Sequence, residues 1–153
     1  KAPTERFAAQ NRKARHDFHI LETLEAGLVL KGSEVKSLRG GRASIGESYA
    51  DMRNGEVYLR NVYIPEFENT HIESHKPRAD RKLLLKKREI SKIWDATQRK
   101  GMTVVPLSIY FNKRGVAKAE IAIAEGKKHY DKRESQKARD WSRQKQRLMR
   151  DLG

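Results

Sequence analysis

Histidine pairs and carboxylate pairs are the groups in this chain best suited to chemistry. Among its five histidines, His16 and His19 stand three apart, and His71 and His75 four apart. On a helix either spacing would present two imidazoles on one face, where they could hold zinc. The first pair instead opens a segment with strand alternation, where a spacing of three sends side chains to opposite faces. The second lies in a polar stretch containing Pro77, and no His-Glu-x-x-His or Cys/His cluster supports either. No metal is expected. Glu22, Glu25 and Glu34 could in principle supply an acid/base pair. No Gly-x-Ser-x-Gly, P-loop or Gly-x-Gly-x-x-Gly accompanies them. The chain therefore reads as a non-enzyme without a cofactor or small-molecule substrate. It has no cysteine, which removes disulfides, thiolate metal sites and thiol nucleophiles.

The basic residues carry more information. Over 153 residues, 34 Lys and Arg face 20 Asp and Glu, a net charge of +14. The excess is segregated: residues 1–20 carry +3, residues 21–75 carry −3, residues 76–100 carry +7, residues 101–126 carry +1 and residues 127–153 carry +6. Basic flanks around a near-neutral body suit a polyanion, which they bind by neutralising phosphates and releasing counterions. Lys13, Arg15 and His16 precede the first strand-like segment. Lys36, Arg39 and Arg42 surround Gly40-Gly41, a turn that lets backbone approach a phosphate. Lys82 belongs to a run from Arg78 to Arg88 that places six cations around Leu83-Leu84-Leu85. All seven cations are candidate phosphate contacts. Phe7, Phe18, Tyr49, Tyr58 and Tyr63 could add stacking surfaces.

The elements that must position these groups read mostly as strands. Period-two patterns run over Phe18–Leu24, Ala26–Lys31, Ser44–Met52, Val57–Ile64, Met102–Phe111 and Val116–Ala124. Asn54-Gly55 marks a tight hairpin, and Asn112–Gly115 a second turn. Two helices interrupt them: Ser33–Arg39, ended by Gly40-Gly41, and Lys86–Lys100, with Ile90, Ile93, Trp94 and Thr97 as its apolar stripe. Glu66–Asp80 reads as a long loop. Six short strands with turns predict a mainly β protein: a small closed antiparallel barrel of the oligonucleotide-binding type with flanking helices. It would span residues 1–126, including a basic N-terminal arm. Residues 127–153 form a basic tail with few apolar positions, expected to be disordered when free and helical when bound. No stretch of about 18 apolar residues exists to span a membrane. KAPTERFAAQ, the first ten residues, lacks a leader's apolar core. A cytoplasmic location is expected.

Six motifs in register resemble one family. Asn11-Arg-Lys-Ala-Arg-His16, Glu25-Ala-Gly-Leu28, Gly32-Ser-Glu-Val-Lys-Ser-Leu-Arg39, Arg81-Lys-Leu-Leu-Leu85, Thr103-Val-Val-Pro-Leu107 and Gly126-Lys-Lys-His-Tyr-Asp-Lys-Arg133 are similar to the SsrA-binding protein (small protein B) family. The resemblance implies an oligonucleotide-binding barrel that binds the tRNA-like part of transfer-messenger RNA. It implies delivery to bacterial ribosomes stalled without a stop codon, where trans-translation tags the nascent chain. It assigns Asn11, Glu25 and Leu84 to RNA binding. It assigns Lys127, Lys128, Asp131, Lys132 and Arg133 to a ribosome-engaging motif in the decoding site and mRNA channel, with Trp141 as a tail aromatic. The chain departs from the family at Tyr130, where His is frequent; Tyr130 keeps a ring that can stack on a base. Two rival readings are a structural ribosomal or general RNA-binding protein, and an RNA-processing enzyme. The latter requires a positioned acid, base or metal.

Overall fold

A computed structural model describes residues 7–68 and 73–152. Seven strands form one antiparallel sheet: β1 (Phe7–Gln10), β2 (Phe18–Leu28), β3 (Tyr49–Arg53), β4 (Glu56–Arg60), β5 (Arg81–Leu84), β6 (Met102–Phe111) and β7 (Ala117–Gly126). Four helices accompany them: α1 (Ala14–Asp17), α2 (Gly32–Arg39), α3 (Lys87–Thr97) and α4 (Lys127–Leu152). The strand order is β1-β6-β7-β2-β5-β4-β3.

This order corrects the closed barrel expected from the pattern. The sheet coils until β3 lies within 8 Å of β6 between Cα atoms, yet the two form no ladder. The free edge of β6 is taken by β1, with Phe7 opposite Tyr110 and Gln10 opposite Ser108. β1 therefore replaces part of what read as a basic arm, and the hydrogen-bonded sheet remains open.

Two further strand assignments change. The segments expected as separate strands before and after Glu25 are one strand, because Glu25 and Gly27 continue the β7 ladder opposite Glu120 and Lys118. Gly27 serves close packing here: a Cβ on it would meet Leu84 Cβ at 3.3 Å. β5 lay hidden in the basic run. Arg81 and Leu83 point inward and are 3% and 1% exposed, whereas Leu84 is 55% exposed. A buried arginine disguised the alternation.

The hairpin prediction at Asn54-Gly55 holds, with φ of 53° and 78° at the two turn residues, as a primed turn requires. The main core gathers Leu38, Ile45, Val57, Leu59, Ile64, Leu83, Ile93, Ile109 and Ile121. A smaller cluster of Ala14, Val105, Leu107, Ala122 and Ala124 occupies the opposite face of β6 and β7. α3 packs through Ile93 and Ala96; Trp94, expected on its apolar stripe, is half exposed.

α2 is clamped by polar groups. Arg81 Nε donates to Glu34 Oε2 at 2.6 Å, and its terminal nitrogens donate to the carbonyls of Val62, Pro77 and Lys76 at 2.7, 3.1 and 3.2 Å. His75 bridges Ser33 Oγ at 2.9 Å and the Ile64 carbonyl at 3.0 Å. Burial makes each partner necessary, since an orphaned charge or amide there has no water to replace it.

Candidate nucleic-acid interface

Directly paired residues share a face of a sheet. One row across the strands is therefore Phe7, Tyr110, Lys118, Gly27 and Leu84; the next is Gln10, Ser108, Glu120 and Glu25. Lys82, two residues before Leu84, lies on the same side of β5. The ladder thus brings Glu25, Lys82 and Leu84 onto one face, although 59 residues separate the first from the last. The Tyr110 hydroxyl donates to Glu25 Oε2, which fixes that carboxylate. Phe7 packs edge-on to Tyr110 at 6.5 Å. Lys82 Nζ lies 3.5 Å from Glu56 Oε2, and both side chains remain partly exposed.

Asn11 is placed as a bracket at the end of β1. Its backbone N–H donates to the Leu107 carbonyl at 2.8 Å and its Nδ2 to the Pro106 carbonyl at 3.1 Å. It lines a cleft of about 220 Å³ with Phe7, Arg12, Arg15, Ser108 and Glu120. Phe7 also borders a second cleft with Leu38, Arg39, Gly41 and Phe111. Arg39 rests its guanidinium 4.3 Å above the Phe111 ring, which holds this cation in a defined orientation. A continuous surface therefore runs from Arg39 past Phe7 to Arg15 and meets the Glu25 row through Glu120. Arg42 is exposed just beyond Gly41. The other candidates lie apart or are engaged locally. Lys36 sits 5.7 Å from the Phe67 ring, Lys13 Nζ reaches Glu47 at 3.3 Å, and His16 lies against Asp17 at 3.1 Å.

Sequence reasoning missed Ser108, Tyr110, Phe111, Lys118 and Glu120. A signal was present for Lys118 and Glu120, charged residues that alternate with Ala117, Ala119 and Ile121 in the first half of β7 and so share one face of it.

The chemistry considered first does not assemble. Glu22 pairs with Lys92 at 2.7 Å, Glu34 with Arg81, and Glu25 with Tyr110, so the three carboxylates occupy separate environments. His16 and His19 have different partners, and His75 is buried against α2; His71 lies outside the described residues. Among the described residues no group of three or more His, Asp and Glu is arranged to hold a metal. Nor is any helix among them long and apolar enough to cross a membrane.

Lys127–Leu152 is a continuous helix of 26 residues, none of them buried. Its base is docked. Glu125, 3% exposed at the end of β7, accepts from His129 Nδ1 at 2.6 Å and from Arg133 Nε and a terminal nitrogen at 3.1 and 2.9 Å. Tyr130 stacks on His19 with centroids 4.0 Å apart and planes 16° from parallel. Tyr130 and Arg133, expected as ribosome contacts, thus face the body of this protein. Lys127, Lys128, Asp131, Lys132 and Trp141 remain exposed.

The Arg133 hydrogen bond, aided by His129, holds the Glu125 carboxyl at about 2, below its ordinary 4.5. A depressed carboxylate stabilises the state that depresses it fully above its ordinary value, and the effect fades as pH falls toward the lowered one. Docking of the helix base is therefore expected to be intact above about pH 4.5 and to weaken toward pH 2. Hydrogen exchange of residues 127–133 across that range measures it; Glu125→Gln should remove the pH step.

Against known proteins, residues 8–151 match the SmpB protein family. The chain is 57% identical over 152 residues to the SsrA-binding protein of Brucella anthropi, covering 99% of this chain and 96% of that one. The SsrA-binding protein of Brucella canis is 56% identical over the same shares. A solved structure described as "tmRNA-SmpB: a journey to the center of the bacterial ribosome" matches with a TM-score of 0.65 and 50% identity, over 76% of this chain and 82% of that one.

Proposed function

The chain belongs to the SmpB protein family, and from that premise we propose that it binds the tRNA-like part of transfer-messenger RNA and delivers it to stalled ribosomes for trans-translation. The observation that carries this reading is 57% identity to a protein named for binding SsrA, sustained over 99% of the chain. The geometry supports it. Glu25, Lys82 and Leu84 share a sheet face with Tyr110 and Phe7, and the adjoining clefts carry Arg39, Arg15 and Asn11. A hydrogen-bonded carboxylate, an exposed leucine and flanking cations suit a folded RNA, whose backbone is met by cations and whose ribose and base edges are met by polar and apolar groups. Lys13, His16, Lys36 and Arg42 act at its margin as phosphate contacts. The tail helix presents Lys127, Lys128 and Lys132 to ribosomal RNA along an empty mRNA channel, and Trp141 packs on the channel wall. The protein works as a cytoplasmic adaptor and performs no reaction itself.

With about six phosphate contacts, the logarithm of RNA affinity should fall against the logarithm of salt with a slope near −5. Filter binding between about 50 and 200 mM salt measures it, and a flat response would overturn the electrostatic part. Lys36→Ala or Arg39→Ala should each shorten that slope by about one unit without changing the unfolding midpoint. Sequencing the RNA that copurifies with the full chain tests the reading as a whole: a resident ribosomal protein would bring ribosomal RNA stoichiometrically, whereas an adaptor brings chiefly one tRNA-like species.

A further inference from the structure

A helix of 26 residues is about 39 Å long, so an error of about 10° at its base displaces its tip by about 7 Å. A rod that must occupy a channel therefore needs an aimed base. The sheet ladder ends at this junction, and α4 follows it directly. Gly126 closes the β7 ladder opposite Phe18, has nothing within 4 Å of where a Cβ would stand, and its N–H donates to the Gly101 carbonyl at 3.2 Å. Glycine at a chain junction is conformationally permissive. The direction of α4 is instead set by side chains on either side of that pivot.

We propose that Glu125, His129 and Gly101 are positioning residues that fix the angle at which α4 leaves the sheet, and that Arg133 acts through Glu125 and makes no ribosome contact of its own. Glu125 is a buried acceptor at the end of β7, and its three hydrogen bonds come from two residues, four and eight positions further on, on one face of α4. Charge-assisted bonds from a planar guanidinium constrain direction as well as distance. Gly101 supplies the opposing wall. It has φ of +80°, and a Cβ there would stand 2.5 Å from His129 Cγ, so the turn admits the imidazole only because it is bare. The His19–Tyr130 stack adds a second point of fixation on the neighbouring strand, which leaves α4 little freedom to swing about Gly126. The inference rests on the proposed role of the tail in rescue.

The chain has no cysteine, so Ser91→Cys on α3 and Ser142→Cys on α4 give a clean spin-label pair in the full-length protein. The unmodified latch should yield one narrow distance distribution. Glu125→Gln should widen it several-fold, leave RNA binding within twofold, and lower tagging on stalled ribosomes about tenfold. Gly101→Ala should displace His129 and widen it as well. Arg133→Gln, at a less buried position, serves if Glu125→Gln does not fold. Adding Arg133→Gln to Glu125→Gln should cost nothing further, because both break the same contact. An unchanged distribution in Glu125→Gln, or a multiplicative loss of tagging in the double variant, overturns the latch. The distance measurement needs no RNA, so failure of transfer-messenger RNA binding in the unmodified protein would sink the proposed function separately.

Discussion

A chain ending at Glu134 should bind transfer-messenger RNA within a few-fold of the intact protein and give no detectable tagging on stalled ribosomes. Every element of the candidate RNA face lies before Gly126, and the cut keeps both donors to Glu125, so the body loses no buried partner. What goes is the exposed length of α4 with Trp141. The place of the cut decides the outcome. Ending at Gly126, which the strand pattern alone would recommend, strips Glu125 of His129 and Arg133 and leaves a buried carboxylate without its donors. That should cost about 1–3 kcal/mol of stability and confuse a folding defect with a functional one. Gel-shift affinity, urea unfolding and tagging on the same two truncations separate the effects. Normal tagging by the chain ending at Glu134, or loss of its RNA, would refute the division of labour.

The largest stability effect is expected away from the RNA. Glu34→Ala or Arg81→Ala should destabilise the protein by about 3–5 kcal/mol, because each leaves the other charge buried and unpaired. The two side chains are 5% and 2% exposed. Arg81→Ala should be the worse of the two, since it also takes from the Val62 carbonyl its guanidinium donor and from the Pro77 and Lys76 carbonyls one of two donors each. An apolar replacement of both, Glu34→Met with Arg81→Leu, should cost less than either single change. Urea unfolding monitored by circular dichroism reads all three. Because α2 carries Lys36 and Arg39, the single variants should also bind RNA more weakly, in step with their instability. If Arg81→Ala weakened RNA binding with its unfolding midpoint unchanged, Arg81 would be an RNA contact and its structural role would be refuted.

Much of this was legible in the residues themselves. A β-branched and aromatic run located β6, buried on both faces, and alternation located β7 and most of β2 to β4. Asn54-Gly55 specified its own turn through the positive φ both residues tolerate. The segregated charge pointed to a polyanion, and the six motifs pointed to the family, with no coordinates needed. These are local properties: a residue's periodicity, its backbone preference, its charge.

Pairing at a distance decided the rest. Arg81 reads as one of six cations in a basic run until Glu34, 47 residues earlier, is brought against it; burial then makes it a structural clamp. Tyr130 and Arg133 read as tail residues until His19 and Glu125 receive them. Glu25 reads as a break between two strands until Glu120 of β7 pairs with it and the strand runs on. The barrel remains open because β1 takes the edge of β6, a competition between strands that no single segment encodes. In each case the type of residue was set locally, while its partner, and with it the sign of its contribution, depended on which distant segments the folded sheet brought within hydrogen-bonding range.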